Sequence, residues 1–352
     1  ITIKMIQNST GSSQSFSTNT QEDLPASSLI VVSDERSRIV RYTDIMSTTV
    51  QIVSDNEPLD ETATYVQDSN GNLCRVISST YAGEAEVLSA IDYVTSALSP
   101  KLYQLTGHGE TPLDTAVTER LRLANIQPAD EAITIVTSSS IPEDCDLLLL
   151  YHPTVDLSAT ELSFIESYLK SGGKLLLITG YETELPRLYA MMETYGAACR
   201  SGLVLESDAS HYMQYPIYVL PQLEDNLAAK CGSVPLMVGS HAISLTGTQP
   251  SSVTLTPLFT TSASAFLKST ADLQNMEKGA SDPMGPFLLG VQINDSATGG
   301  AIAWIASSFF ANADVDTVSG GANTDALIAI AETLTGKESN LKIAVKNIDT
   351  SV

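Results

Sequence analysis

Two side chains capable of acid–base or metal chemistry stand together in the stretch KLYQLTGHGE at residues 101–110. The apolar residues that open this stretch predict a buried strand, and Gly107 and Gly109 predict a tight turn at its end. The turn carries His108 and Glu110. Helical spacing of apolar residues follows, so the segment is typical of the strand, loop and helix that open an α/β domain. Open α/β sheets bind ligands at such strand ends.

Two later apolar runs also end in polar residues. Residues 146–151 and 174–179 are predicted strands with continuous apolar centres, as expected for a parallel sheet that is covered on both faces. Because the carboxyl ends of parallel strands meet at one edge of a sheet, the side chains after them should share a crevice. The predicted crevice residues are His108, Glu110, His152, Tyr181 and Glu182.

Asn323 completes the candidate site. The stretch Gly320-Gly-Ala-Asn-Thr-Asp325 introduces the last predicted helix. It is either an N-terminal cap, in which Asn323 or Thr324 accepts backbone N–H groups, or an anion-binding helix terminus. The residue types favour the cap.

Three kinds of chemistry are compatible with this set. His108 and Glu110 match the H-x-E of zinc deaminases, but no P-C-x-x-C follows. A zinc held by His108, His152 and Glu110, or a hydrolase built on them, is an alternative. The simpler interpretation is a structural turn in which His108 and Glu110 hydrogen-bond to the loop backbone. No G-x-S-x-G, P-loop or G-x-G-x-x-G motif is present.

Size and charge exclude several classes of function. The 352 residues are enough for two domains with their own cores, and 43% hydrophobic with 17% charged residues is typical of a globular protein. The net charge of -23 repels phosphate backbones and anionic lipids, so no nucleic-acid partner is expected. No apolar run approaches the roughly 20 residues that cross a bilayer. The chain opens with a strand-like run and without a signal peptide, so we expect a fragment whose membrane anchor lies outside it.

The four cysteines leave two possibilities open. Cys74, Cys145, Cys199 and Cys231 are widely separated, with no C-x-x-C pair and no metal-ligand spacing. Either Cys199 and Cys231 form a disulfide, or all four are buried thiols.

The pattern along the chain predicts two parts. Residues 1–82 alternate short strand-like runs with turns, including a polar loop at 8–28, and are typical of a small α+β region. Residues 83–352 begin with a helical pattern and then alternate strands and helices up to a final strand at 341–345, with a capping box at Ser158-Ala-Thr-Glu161. We predict an α/β fold for this part, with a doubly wound, mostly parallel sheet of the flavodoxin type.

The predicted strand order is similar to that of class I glutamine amidotransferases. Those enzymes place a nucleophilic cysteine at the turn after the strand that corresponds to residues 174–178. This chain has Thr179-Gly-Tyr-Glu182 there, and without the thiol that chemistry is absent. The departure indicates a fold used for binding rather than catalysis.

A second resemblance covers residue 80 to the end. The segments GEAEVLSAIDYVT at 83–95 and YQLTGHGE at 103–110 resemble the signature of the gliding-motility auxiliary family of ABC transport proteins, which is GldG-like. Residues 145–153, a capped helix, Gly172-Gly-Lys-Leu-Leu-Leu177 and the approach to the last helix follow in the family's order.

The resemblance implies an extracytoplasmic accessory domain beside an ABC-2 type permease and its ATPase, at the cell membrane. It implies a partial thioredoxin-like domain for residues 1–82, a non-catalytic role and no cofactor. It supplies no catalytic residues and does not identify the transported substrate.

Overall fold

The computed structural model describes residues 1–6, 27–54, 58–60, 63–68, 70–135, 140–274, 276–337 and 346–348. The described residues form two compact units, one built from residues up to 99 with 123–125 and 346–348, the other from 100–122 and 126–337. The predicted final strand at 341–345 and nearly all of the predicted loop at 8–28 lie outside the described residues.

The first unit contains two antiparallel sheets and two helices. One sheet consists of β1 (Thr2–Ile6), β2 (Ser28–Val32) and β3 (Ser37–Val40). The other consists of β4 (Met46–Ile52), β5 (Tyr65–Gln67), β6 (Leu73–Tyr81) and β19 (Lys346–Ile348). The helices are α1 (Tyr42–Ile45) and α2 (Gly83–Thr95).

Helix α2 packs within the first unit. Its buried Ala90 and Val94 contact Val31 of β2 and Val40 of β3. The helical pattern from residue 83 predicts a boundary at residue 82, before this helix, whereas by its contacts the helix groups with the strands that precede it. The likeness of this unit to a partial thioredoxin-like domain stays a prediction.

The second unit is organised around a 10-stranded sheet. Along its main path the order is β11-β14-β17-β18-β10-β9-β7-β8, with β15 paired to β17 and β13 to β15. Strands β18, β10, β9, β7 and β8 are parallel, and the remaining pairs are antiparallel. The strands of this sheet are β7 (Lys101–Gln104), β8 (Gln127–Pro128), β9 (Leu147–Tyr151), β10 (Lys174–Ile178), β11 (Ala197–Arg200), β13 (Gln222–Leu223), β14 (Ala242–Leu245), β15 (Val253–Thr260), β17 (Leu288–Asp295) and β18 (Ala301–Ile305). A separate pair is formed by β12 (Leu203–Leu205) and β16 (Phe266–Lys268).

Helices cover both faces of this sheet. The helices are α3 (Thr115–Leu123), α4 (Ala159–Lys170), α5 (Pro186–Thr194), α6 (Asp225–Lys230), α7 (Ala313–Val318) and α8 (Ala322–Thr335), with a 3-10 turn at Thr270–Asp272. Alternate residues of β9 point to opposite cores because side chains alternate along a strand. Leu147 and Leu149 pack with residues of α3 and α8, and Leu148 and Leu150 with residues of α4 and α5. The predicted α/β, doubly wound fold with a parallel core is confirmed.

This layering excludes the proposed disulfide. All four cysteines are free. Cys231 belongs to the core on the α3 and α8 side, and Cys199 packs against the core on the α4 and α5 side. Of the two possibilities that the sequence leaves open, the Cys199–Cys231 bond is therefore wrong because the sheet lies between the two cores. The four thiols are free, and Cys199 is only partly buried.

Candidate functional site at the carboxyl edge of the parallel strands

Four neighbouring parallel strands end at the same edge of the sheet. The loops that follow β7, β9, β10 and β18 begin at residues 105, 152, 179 and 306. His108, Glu110, His152, Tyr181 and Glu182 all lie in these loops. The structure divides them into a closed histidine cluster, a partly open crevice and an apolar side wall.

The closed cluster is centred on His108. Its Nδ1 donates to Glu110 Oε1 at 3.0 Å, since a carboxylate only accepts, and its Nε2 lies 2.9 Å from Glu161 Oε1. The His108 side chain is 8% exposed, and those of Glu110 and Glu161 are 1% and 6% exposed. The ring is thus held between two buried carboxylates and sealed from solvent, which we name the His108 clamp.

Glu161 enters the clamp through a helix cap. Ser158 is the N-cap of α4, its Oγ accepts from the Glu161 backbone N–H, and Glu161 Oε2 accepts from the Ser158 N–H at 2.9 Å. The capping box predicted from the sequence is confirmed. Burial alone would raise the pKa of Glu161, but the hydrogen bonds from Ser158 and the nearby His108 ring outweigh it and lower the pKa. The other oxygen of the Glu161 carboxylate, Oε1, faces His108 Nε2.

The turn that carries the clamp depends on glycine. Gly107 has φ +122° and Gly109 φ +72°, both in the left-handed region. A Cβ at Gly109 would lie 2.1 Å from Thr154 Oγ1. Two backbone hydrogen bonds join the loop after β7 to the loop after β9. The N–H groups of Thr154 and Val155 both donate to His108 O at 2.9 Å.

The partly open crevice is formed by His152, Glu182 and Ser308. His152 has φ +49°, in the left-handed region, and its Nδ1 lies 3.4 Å from Thr111 Oγ1. Its Nε2 is buried, has no hydrogen-bond partner and lies 3.6 Å from Glu182 Oε2. The side chains of His152 and Glu182 are 19% and 33% exposed, so solvent reaches this pair.

Ser308 holds the Glu182 carboxylate. Its Oγ donates to Glu182 Oε1 at 2.9 Å. Burial alone would raise the pKa of Glu182, yet the contacts with His152 and Ser308 lower it, so the group is an anion at neutral pH. Gly180 and Gly239 make room for it: a Cβ at Gly180 would lie 2.1 Å from Glu182 Oε2, and one at Gly239 would lie 2.3 Å from Ser308 Oγ.

Two predicted site residues have other surroundings. Tyr181 packs against an apolar cluster that contains Leu203, Leu205 and Phe266, and burial with the nearby Glu182 charge raises its pKa. Asn323 is fully buried, and its amide is used by backbone: Oδ1 accepts from Leu236 N, and Nδ2 donates to Leu236 O and Phe310 O. Asn323 thus joins two loops and presents no free polar atom to the crevice.

The predicted cap at the start of α8 is wrong. Its N-cap is Gly321, at φ +91°, and the Thr324 N–H donates to Asp316 Oδ1 at 2.7 Å. The capping acceptor is therefore Asp316 of α7 rather than Asn323 or Thr324, because the carboxylate of a neighbouring helix reaches the first turn of α8.

A buried polar relay lies behind the crevice. Trp304 Nε1 donates to Thr179 Oγ1 at 2.8 Å, and Thr179 Oγ1 lies 2.8 Å from His241 Nε2. His241 Nδ1 lies 3.0 Å from Ala242 O, and burial lowers the pKa of His241 to about 4. Burial also raises the pKa of the neighbouring Cys199 thiol to about 11, so this thiol stays protonated and unreactive at neutral pH.

The geometry limits the chemistry of the edge. Within the described ranges, no group of three or more His, Cys, Asp and Glu side chains is arranged to hold a metal ion. Both ring nitrogens of His108 face buried carboxylates, so neither is open to a ligand. The Ser308 hydroxyl donates to a carboxylate of lowered pKa, and such a group is a weak base.

Comparison with protein families matches residues 99–339 to the family described as an ABC-type uncharacterized transport system. The match covers the second unit and more than half of the chain. The chain belongs to this family. The predicted ABC transport auxiliary family is thus confirmed, whereas the gliding-motility branch of it stays a prediction. No helix in the described part of this family member has the length and apolar character needed to cross a membrane.

Comparison with solved structures finds matches at low identity. The N-terminal domain of mmIFT52 matches with a TM-score of 0.51 and 14% identity, covering 68% of this chain and all of that one. The cytoplasmic protein STM3548 from Salmonella typhimurium matches at 0.37 and 13%, covering 67% and 98%, and a ThuA-like protein from Bacteroides uniformis at 0.36 and 11%, covering 66% and 91%. The first of these likenesses shows the fold alone. Comparison with curated proteins gives no match.

Proposed function

We propose that this member of the ABC transport auxiliary family is a non-catalytic accessory domain at the extracytoplasmic face of the cell membrane. Its partners are the ABC permease and ATPase subunits of the same system. The crevice of His152, Glu182 and Ser308 binds a ligand or partner of that system, whereas the His108 clamp maintains the loop beside it.

The unpartnered ring nitrogen of His152 carries this proposal. Buried polar atoms nearly always have a hydrogen-bond partner, so a buried Nε2 without one, 3.6 Å from an anionic carboxylate, is an expected contact point for an incoming group. The crevice lies at the carboxyl edge of the parallel strands, where α/β sheets bind ligands. The clamp has no such opening because its three side chains are less than a tenth exposed.

A non-catalytic role is supported by what occupies the strand ends. Thr179 stands where class I glutamine amidotransferases, whose strand order the sequence resembles, have their nucleophile. Its hydroxyl is buried and used by Trp304 and His241. Ser308, the other hydroxyl of the crevice, faces no base of suitable pKa. The hydrolase alternative lacks an activated nucleophile in the described part of this edge.

Two measurements on the full-length protein in its own cells test the proposal. Protease added outside intact spheroplasts should digest this domain, and an affinity tag should recover the permease and the ATPase from detergent-solubilised membranes. Protection from external protease until the membrane is permeabilised would contradict the location. Recovery without either subunit, while a tag on the permease recovers the ATPase, would contradict the partner assignment.

A further inference from the structure

We infer that the crevice of His152, Glu182 and Ser308 recognises a cationic nitrogen group, an ammonium or a guanidinium, on whatever it binds. This inference rests on the proposed function and adds the chemical class of the ligand. It follows from the arrangement of acceptors, the charge of the surroundings and an exposed aromatic ring at the rim.

The Glu182 carboxylate has one oxygen available to an incoming donor. Oε1 is satisfied by Ser308, whereas Oε2 lies 3.6 Å from the nearest ring nitrogen of His152, beyond ordinary hydrogen-bond distance. A carboxylate oxygen in this position accepts well from a charged group with several N–H donors, which ammonium and guanidinium groups provide.

Charge favours a cation over a neutral donor. Glu182 remains ionised at neutral pH because the contacts with His152 and Ser308 lower its pKa despite burial. The chain as a whole carries a net charge of -23, which raises the local concentration of cations and repels anions.

The rim adds an aromatic face. Phe309 follows Ser308 directly, and its side chain is 43% exposed although it is large and apolar. A Cβ built on Gly239 would lie 2.3 Å from Ser308 Oγ, 3.2 Å from Glu182 Oε1 and 3.2 Å from Phe309 Cδ2. The ring, the hydroxyl and the carboxylate therefore meet around one glycine. An exposed ring beside a carboxylate is suited to cation–π contact with a bound nitrogen cation.

The test uses putrescine as the probe and 1,4-butanediol as its neutral analogue of similar length, with the whole chain of 352 residues. The chain has 4 histidines, so ring signals in NMR spectra of histidine-labelled protein can be assigned with single variants. Putrescine should shift the His152 signal in a saturable way and leave that of His241, which is fully buried, unchanged. Butanediol should have no saturable effect.

Matched variants separate the crevice from the general acidity of the chain. Glu182→Gln keeps an acceptor for Ser308 but removes the charge, and should weaken putrescine binding about ten- to a hundredfold. Glu184→Gln removes the same charge from an exposed side chain two residues away, and should change binding less than about threefold. Phe309→Ala leaves every charge in place and should weaken binding about two- to fivefold.

The outcomes distinguish this inference from the proposed function. Equal effects of Glu182→Gln and Glu184→Gln, saturable binding of butanediol, or no shift of His152 would overturn the cationic ligand. If Glu182→Gln nevertheless abolishes transporter function in cells with an unchanged melting temperature, the crevice binds a ligand of another class and the proposed function stands. If that variant also functions normally, both are wrong.

Discussion

Replacing His108 with alanine should destabilise the second unit by about 3 kcal/mol. The variant loses the charge-assisted hydrogen bond to Glu110, worth roughly 1.5–3 kcal/mol, and leaves Glu110 and Glu161 buried without their shared partner. Loss of one partner from a buried ion pair costs about 3–5 kcal/mol. Because Glu161 Oε1 makes no hydrogen bond of good geometry with His108 Nε2, we expect a loss of stability at the lower end of this range. For a unit of this size the melting temperature should fall by roughly 6–12 °C.

The assay is urea unfolding followed by tryptophan fluorescence. Trp304 is the single tryptophan of the chain and is fully buried in β18, so it reports on the second unit. The matched control is His211→Ala. His211 Nδ1 lies 3.3 Å from Asp208 Oδ2 with its side chain 30% exposed, and loss of such a surface pair should cost less than about 1 kcal/mol.

A second substitution tests the reason for the loss. Glu161→Gln keeps the cap of α4, because glutamine also serves in a capping box, but removes one of the two buried charges. In the His108→Ala background it should recover about 1 kcal/mol or more. A His108→Ala variant as stable as His211→Ala, or one that Glu161→Gln destabilises further, would refute the clamp and return His108 to the candidate binding residues.

Three further predictions concern the sheet, the turn and the buried relay. Leu176→Asp places an unpaired charge in β10, where Leu176 is fully buried, and should abolish cooperative unfolding of the second unit; a native unfolding curve would disprove the layering. Gly109→Ala should cost roughly 1–3 kcal/mol more than Gly299→Ala, since both have positive φ but only Gly109 would bring a Cβ 2.1 Å from another atom; equal urea midpoints would contradict this. Burial lowers the pKa of His241 to about 4, so from about pH 6.5 down to 4 the unfolded chain takes up a proton that the folded protein does not, and about 3 kcal/mol of stability should be lost across that window. His241→Gln should show a shallower loss over the same window in urea titrations, and an identical slope would refute the burial effect.

The central strands, a helix start and a turn of the second unit could be predicted from the sequence, because each depends on residues that are close along the chain. The fully apolar runs at β9 and β10 predict strands covered on both faces, and the Ser158 capping box predicts the start of α4 within a few residues. The glycines after β7 predict its turn. Each of these elements is determined by neighbours along the chain.

The composition of the site depended on contacts that are distant in sequence. Ser308 reaches Glu182 across 126 residues, and its stretch of sequence has no motif that marks it. Glu161 was visible only as a capping residue, since its second role requires the β7 loop to lie beside α4. Asn323 was predicted as a site residue from its local pattern, but it is used by loops at residues 236 and 310. Periodicity carries no information about such pairings.

The most direct test of the working crevice is transporter function in a deletion strain that carries Glu182→Gln on the full-length protein. Glu182→Gln should fail to restore the transporter phenotype while its melting temperature and abundance match the wild type. Glu184→Gln, with the same loss of charge on an exposed side chain, should restore it fully. Full restoration by Glu182→Gln at wild-type abundance would contradict the central claim that this crevice is where the domain does its work.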